Sequence, residues 1–384
     1  MNNFTYSIPT KIHFGKGQIS HLEELSESGR KVLLCYGGGS IKRAGIYDEA
    51  VKVLKEEGME IFELSGIAPN PKIESVREGV KLCKENNIDM VLAIGGGSVI
   101  DCAKVVAAGA CYDGDPWDLV ITPRWIKKAL PIYSVLTLAA TGSEMDEFAV
   151  ISDMSKNEKW GTASRHLKPK MSVLDPEYTY SVSKKQTSAG TADMISHILE
   201  SYFTNVENAD VQARFAEGLL KNCFKYGPIA LEEPDNYDAR ANLMWTASMA
   251  INGVIKCGAE VAWCVHPMEH ELSAFYDITH GEGLAILTPY WMEYVLDEKT
   301  AGKFAEYARN VWDIREDDDM TAAKEGIKCT KEFFKSMNLP QTLTDVGIDE
   351  EHFDIMAEKA AASCKRAYRP LSKDDIKTIF KEAL

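Results

Sequence analysis

Short apolar runs dominate the first part of the chain: KVLLCY (31–36), MEIFEL (59–64), DMVLAI (89–94) and PIYSVL (131–136), separated by stretches with helical spacing. Such alternation predicts parallel strands joined by crossover helices, an arrangement that gathers ligand contacts in the loops beyond the carboxyl ends of the strands. Two of those loops read GGGS, at 37–40 and 95–98. After MSVLDPEY (171–178) the pattern changes to long amphipathic stretches at 186–204, 209–226, 238–256, 301–312, 321–337 and 351–364. The remainder is therefore predicted helical. The expected division is an α/β domain over 1–180 and an all-helical domain over 181–384, with the boundary between Pro176 and Lys184.

Size supports that division, because 384 residues exceed the roughly 250–300 at which a single core stops growing. The formal charge of -15 and pI of 5.1 argue against a general nucleic-acid or membrane-surface binder, either of which needs a basic footprint. A small molecule is the expected partner. The nine cysteines (35, 83, 102, 111, 223, 257, 264, 329, 364) are odd in number, scattered and never in a CxxC spacing. They read as reduced packing residues, with no disulfide framework and no thiolate zinc site. The start, MNNFTYSIPTKIHF, lacks a signal-peptide pattern, and no apolar run approaches the ~18 residues of a membrane span. A cytoplasmic location is expected.

The GGGS at 95–98 follows the buried-strand run directly and leads into VIDCAKVVAAGA. Absent side chains there would let a pyrophosphate approach backbone N–H groups and the positive end of the helix, a strand–loop–helix phosphate cradle without GxGxxG spacing. The loop after the first strand, Gly37-Gly38-Gly39-Ser40, carries no acid to receive a ribose 2′-hydroxyl, and Lys42 and Arg43 follow it. This favours NADPH over NADH. The alternative is that Lys42 and Arg43 are solvated surface charges.

Of eight histidines, His266, His270 and His280 fall inside HPMEHELSAFYDITHGEG, and His197 lies four residues after Asp193 in GTADMISHILE. Helical i,i+4 spacing puts Asp193 and His197 on one face, able to reach one cation together. His266 and His270 share the spacing, while His280 sits among glycines that permit close approach of the chain. Glu269, Glu271 and Glu282 compete as carboxylate ligands, and Asp193 could instead be a helix N-terminal charge. One aspartate with imidazoles suits Fe(II) or Zn(II).

Taken together, PTKIHFGKGQ, LCYGGGSIKRAGIYD, GIAPNPK, AIGGGSVIDCAK, LTLAATGSEM, LDPEYTY, GTADMISHILE and CVHPMEHELSAFYDITHGEGLAILTPYWM resemble the iron-containing (group III) alcohol dehydrogenase family, in its butanol-dehydrogenase-like branch. The resemblance runs through nearly the whole chain. It implies an N-terminal dinucleotide-binding α/β domain, an all-α metal-binding domain of dehydroquinate-synthase-like fold, and a homodimer. It also implies that Asp193, His197, His266 and His280 hold the metal, with His270 as an adjacent or proton-relaying histidine. Matching motifs place Gly38, Gly39 and Ser40 at the 2′-phosphate and Asn70 near the adenosine. Gly96, Gly97, Ser98 and Asp101 fall at the pyrophosphate, and Thr137, Thr141 and Lys159 along the rest of the cofactor. Ser183 and Met194 depart from the family's usual proline and alanine, without removing a ligand.

The activity so implied is metal-dependent, NADP(H)-linked hydride transfer between an alcohol and an aldehyde, the cation polarising the carbonyl oxygen. No lysine or arginine lies between Cys257 and Glu298 or between Gln186 and Ala213, so an anionic substrate would lack a partner near the metal. Trp263, Phe275, Tyr276 and Trp291 supply apolar surface in the same segment. Short-to-medium aliphatic alcohols and aldehydes, such as butanol and butanal, are expected. The alternatives are a glycerol-type polyol dehydrogenase, a dehydroquinate-synthase-like lyase, and a non-catalytic binding protein.

Overall fold

The structure, a computed structural model, describes residues 1–261 and 263–384. The chain forms two compact units, one of Ser7–Val182 with Pro234–Asn252, the other of Met1–Tyr6, Ser183–Glu233 and Gly253–Leu384.

The first unit is built on a six-stranded sheet in the order β1-β8-β5-β4-β2-β3. Its strands are β1 (Lys11–Phe14), β2 (Lys31–Tyr36), β3 (Glu60–Leu64), β4 (Met90–Gly95), β5 (Ile132–Leu136) and β8 (Met171–Leu174), and every pairing is parallel. Successive residues enter opposite cores: Val32, Leu34, Met90 and Leu92 pack on one face, Leu33, Cys35, Val91 and Ala93 on the other. Burial on both faces explains why these strands read as continuous apolar runs. β6 (Phe148–Asp153) and β7 (Glu158–Ala163) form a separate antiparallel hairpin. The polar sequence of its second strand, EKWGTA, gave no strand signal.

β3 lies on one side of β2 and β4 on the other, so the strand order reverses between β2 and β4. Tyr36 and Ile94 pair there, one step before the two GGGS loops. Such a reversal opens a crevice at the carboxyl ends of the strands.

The second unit is helical, with helices Lys184–Tyr202, Asp210–Glu232, Val265–Tyr276, His280–Val295, Ala301–Trp312, Asp319–Ser336, Phe353–Cys364 and Lys373–Glu382. Helix Lys184–Tyr202 is buried all round from Thr187 onward, which marks it as the central helix of the unit. Helix Tyr237–Ile251, expected in the helical half, belongs with the α/β unit. Its Ser248 hydroxyl donates to Glu144, and its Ala247 carbonyl packs against Gly142. No helix among the described residues is long and apolar enough to cross a membrane. All nine cysteines are free.

Candidate active site

Helix Lys184–Tyr202 starts at Ser183, whose Oγ accepts the Gln186 N–H at 3.2 Å. Serine thus serves as an N-cap where the resembled family carries proline. Ten residues on from that cap stands Asp193, with His197 one turn further on and its Nε2 3.5 Å from Asp193 Oδ1. His266, in the first turn of Val265–Tyr276, brings Nε2 to 3.6 Å from the same oxygen, and His280, opening His280–Val295, to 3.8 Å. Three imidazole nitrogens from three helices therefore gather on one carboxylate oxygen. Asp193 Oδ1 and His266 Nε2 are buried and have no hydrogen-bond partner among the described residues. Unsatisfied buried acceptors are unfavourable unless something absent from the protein itself meets them.

Gly281 makes this convergence geometrically feasible. A Cβ there would overlap the Ala189 carbonyl, so only glycine lets the start of this helix press against the backbone of Lys184–Tyr202. The glycine expected to let the chain approach the metal serves by letting two helices approach each other.

Two carboxylates set the imidazole tautomers. Glu200 Oε1 accepts backbone N–H groups of Cys264 at 3.3 Å, Val265, and His266 at 3.0 Å, while its Oε2 faces His266 Nδ1 at 3.2 Å. Glu269 meets His280 Nδ1 and accepts the Ser273 hydroxyl. Each carboxylate favours a proton on the Nδ1 it faces, which leaves Nε2, the atom on the Asp193 side, as the nitrogen that a metal would take once its own proton is displaced. His197 Nδ1 has no partner among the described residues. Burial disfavours charge on Asp193, yet His197, His266 and His280 outweigh it and hold the carboxyl well below its usual range. Burial lowers His197 to about 4. The same burial acts on His266, but Glu200 and Asp193 reverse it and raise the group to about 9.

The competing carboxylates are engaged elsewhere: Glu269 on His280, Glu271 with Lys359 at 3.0 Å, and Glu282 with Lys185 at 3.0 Å. Glu200 was not foreseen, since nothing in its local spacing links it to a segment more than sixty residues away. His270 is half-buried, its ring 5.6 Å from that of His280 and 6.3 Å from that of His266. Of the four aromatics expected beside the metal, Trp263 packs on His197 and His266 at 5.2 and 4.5 Å. Phe275 and Tyr276 pack instead on His352, and Trp291 is buried against Phe203.

In the α/β unit, β4 ends at Gly95, and Gly96 is the N-cap of helix Gly97–Gly109 without a side-chain cap. A Cβ on Gly97 would overlap the Thr141 side chain. Gly97, Ser98 and Thr141 are thus in one place, and Thr137 joins them through its N–H to Gly95 at 3.0 Å. The Val99 N–H already bonds the Gly96 carbonyl at 3.0 Å, while the first N–H groups of a helix, here those of Gly97 and Ser98, have no carbonyl a turn earlier to bond and so suit an anion. Asp101 lies one turn in, buried, accepting Ser143 Oγ at 2.6 Å and the Val150 N–H at 2.9 Å. Its carboxylate braces the neighbouring loop and hairpin. Asn70 adopts a left-handed conformation in PNP, and the Ser152 N–H bonds Pro71 carbonyl at 2.9 Å. Buried Lys159 pairs across the hairpin with Ser152.

Gly38 and Ser40 are exposed, and a Cβ on Gly39 would meet Arg43 Nη1 at 3.9 Å. Lys42 is tied back, 3.6 Å from Glu63 and above the rings of Tyr36 and Tyr47. Glu63 comes from β3, next in the sheet, and accepts the Tyr36 and Tyr47 hydroxyls at 2.5 and 2.6 Å. An acid absent from the loop in sequence therefore reaches its neighbourhood through the sheet.

The iron-containing alcohol dehydrogenase family model matches residues 9–176, and the family's C-terminal model matches 187–384. The chain is 54% identical over its full length, and that of the relative, to NADH-dependent butanol dehydrogenase A of Clostridium acetobutylicum. It is 42% identical to the NADPH-dependent aldehyde reductase YqhD of Escherichia coli, covering 94% of this chain and 93% of that one. The crystal structure of NADH-dependent butanol dehydrogenase A from Thermotoga maritima superposes with a TM-score of 0.95 at 41% identity, covering 100% of this chain and 99% of that chain. The protein belongs to the iron-containing alcohol dehydrogenase family. Its class is that of alcohol dehydrogenases and aldehyde reductases using a divalent metal and a nicotinamide cofactor. Relatives named for NADH and for NADPH both occur, so the family does not fix the nucleotide.

Proposed function

We propose that the chain interconverts short-to-medium aliphatic aldehydes and alcohols, butanal and butanol among them, using NADP(H) and one Fe(II) or Zn(II) held by Asp193, His197, His266 and His280. The observation carrying the metal reading is the convergence of three Nε2 atoms within 3.8 Å of the partnerless Asp193 Oδ1. A tetrahedral site with bonds of about 2.0–2.1 Å puts its ligand atoms about 3.3 Å apart, so small side-chain rotations suffice. When bound, the cation supplies Lewis acidity toward a carbonyl oxygen and the nicotinamide supplies hydride.

The chain's own residues do the remainder. Glu200 and Glu269 fix the ring orientation and tautomer of His266 and His280, and Trp263 covers the imidazoles with apolar surface. His270 stands within reach of the same cluster and delivers a proton to the developing alkoxide, directly or through water. Lys185 and Lys359, which reach this segment, are paired with Glu282 and Glu271, which favours an uncharged substrate. Gly96, Gly97, Ser98 and Asp101 lie at the pyrophosphate and its neighbourhood, with Asn70 near the adenosine and Thr137, Thr141 and Lys159 along the remaining cofactor.

For the nucleotide, Gly38, Gly39 and Ser40 leave space beside Arg43 for a 2′-phosphate, while Glu63 is occupied by two tyrosine hydroxyls and Lys42. The reading includes a cytoplasmic homodimer, which sedimentation velocity checks. The functional test is anaerobic loading with Fe(II) or Zn(II), followed by NADPH and NADH turnover with butanal and, in reverse, with butanol and glycerol. Butanal reduction with NADPH preferred is expected. A strong NADH preference would refute the argument from Gly39 and Ser40, and rapid glycerol oxidation without butanal reduction would indicate a polyol dehydrogenase.

A further inference from the structure

The α/β unit carries a second cluster of metal-binding side chains, unrelated to the residues above. His13 lies on β1, the edge strand of the sheet, and His21 and Glu24 lie on the 3-10 helix Gln18–Glu27. With three residues per turn, positions i and i+3 of such a helix stand one above the other, so His21 and Glu24 form one face. His13 closes it from the strand.

Glu24 Oε1 is 3.0 Å from His13 Nε2 and 3.6 Å from His21 Nδ1. The two imidazoles stack, centroids 3.6 Å apart and planes within 8°. Lys11 Nζ takes the other oxygen, Oε2, at 2.8 Å, leaving Oε1 to the two rings. One donor atom from each of His13, His21 and Glu24 lies within 4.8 Å of the others. Side-chain exposures of 15%, 36% and 25% keep the cluster partly covered but reachable from water.

We propose that His13, His21 and Glu24 bind a second first-row divalent cation, of the class of Zn(II), Co(II) or Ni(II), as a clip between the edge strand and the 3-10 helix. The 3.0 and 3.6 Å separations bracket the about 3.3 Å between ligands of a tetrahedral site with bonds of about 2.0 Å. Rotating a ring about χ2 turns its lone pair to the shared point. Two imidazoles with one carboxylate oxygen select borderline cations over magnesium or calcium, and three protein ligands leave a fourth position for water.

The test uses the full-length protein stripped with chelator, equilibrated with Zn(II), freed of unbound metal and assayed by elemental mass spectrometry. His13→Gln, His21→Gln and Glu24→Gln should each retain one equivalent fewer than the parent. Each should also lose a Zn(II)-dependent rise in thermal midpoint while matching the parent's metal-free midpoint. Equal stoichiometry and equal midpoint rise in all four proteins would overturn the proposal and leave the trio an ion-pair cluster. If one variant unfolds, the other two decide. The site is read from the decrement between parent and variant, so failure of the Asp193 site, seen as one equivalent fewer in every protein, is distinguishable.

Discussion

Replacing Glu200 with glutamine tests whether imidazole tautomers are set by carboxylates. In the parent, Glu200 Oε1 holds three backbone N–H groups and Oε2 faces His266 Nδ1 at 3.2 Å. An amide can keep the three backbone bonds with its oxygen, but its NH2 then donates toward Nδ1. The ring responds by moving its proton to Nε2, the atom that faces Asp193 at 3.6 Å, and a protonated nitrogen cannot ligate. The ligating tautomer in the variant lacks the parent's Nδ1–H to carboxylate bond, a hydrogen bond to a charged group, about 1.5–3 kcal/mol. This corresponds to a roughly 10–100-fold weaker metal affinity, the range seen when supports of this kind are removed. Titration of metal-free protein with Zn(II) against a chromophoric chelator measures it, with the metal-free thermal midpoint as the control for folding. Affinity within about twofold of the parent, in a folded variant, would refute the reasoning.

His270→Ala should lower kcat for butanal reduction while metal content stays at the parent's level; loss of metal would make it a ligand instead. Gly281→Ala should abolish tight metal binding, because the added methyl overlaps the Ala189 carbonyl and pushes His280 away from Asp193; retained stoichiometry would contradict this. Burial raises fully buried Glu144 from 4.5 to about 7, which corresponds to about 3 kcal/mol. The carboxyl is neutral in both states below pH 4.5, so its penalty is absent there, grows as pH rises and is complete above about 7. Glu144→Gln should therefore flatten the fall in thermal midpoint across that window, and a parallel pH profile would count against it.

The four apolar runs fixed β2 to β5 within a residue or two, for β2, β4 and β5 because strands buried on both faces must be apolar throughout, while β3 at the sheet edge keeps exposed Glu60 and Glu63. Asp193 and His197 were legible for a local reason too, since i,i+4 spacing on a helix is a contact rule. The polar second hairpin strand β7 was not, since it takes its conformation from pairing with β6 rather than from an apolar pattern of its own, and neither was the edge strand β1, whose partner β8 is distant in the chain. Helical spacing identified Tyr237–Ile251 as a helix but not the core it covers, which depends on Ser248 and Ala247 meeting Glu144 and Gly142. Likewise the motif order pointed to His266 and His280, while only the tertiary structure brought Glu200 and Glu269 behind them, Glu63 beside the Gly37–Ser40 loop, and His13 onto His21 and Glu24. Local sequence dictates periodicity and caps. Which side chains share one point is decided by how helices and strands pack, and that information is spread over the whole chain.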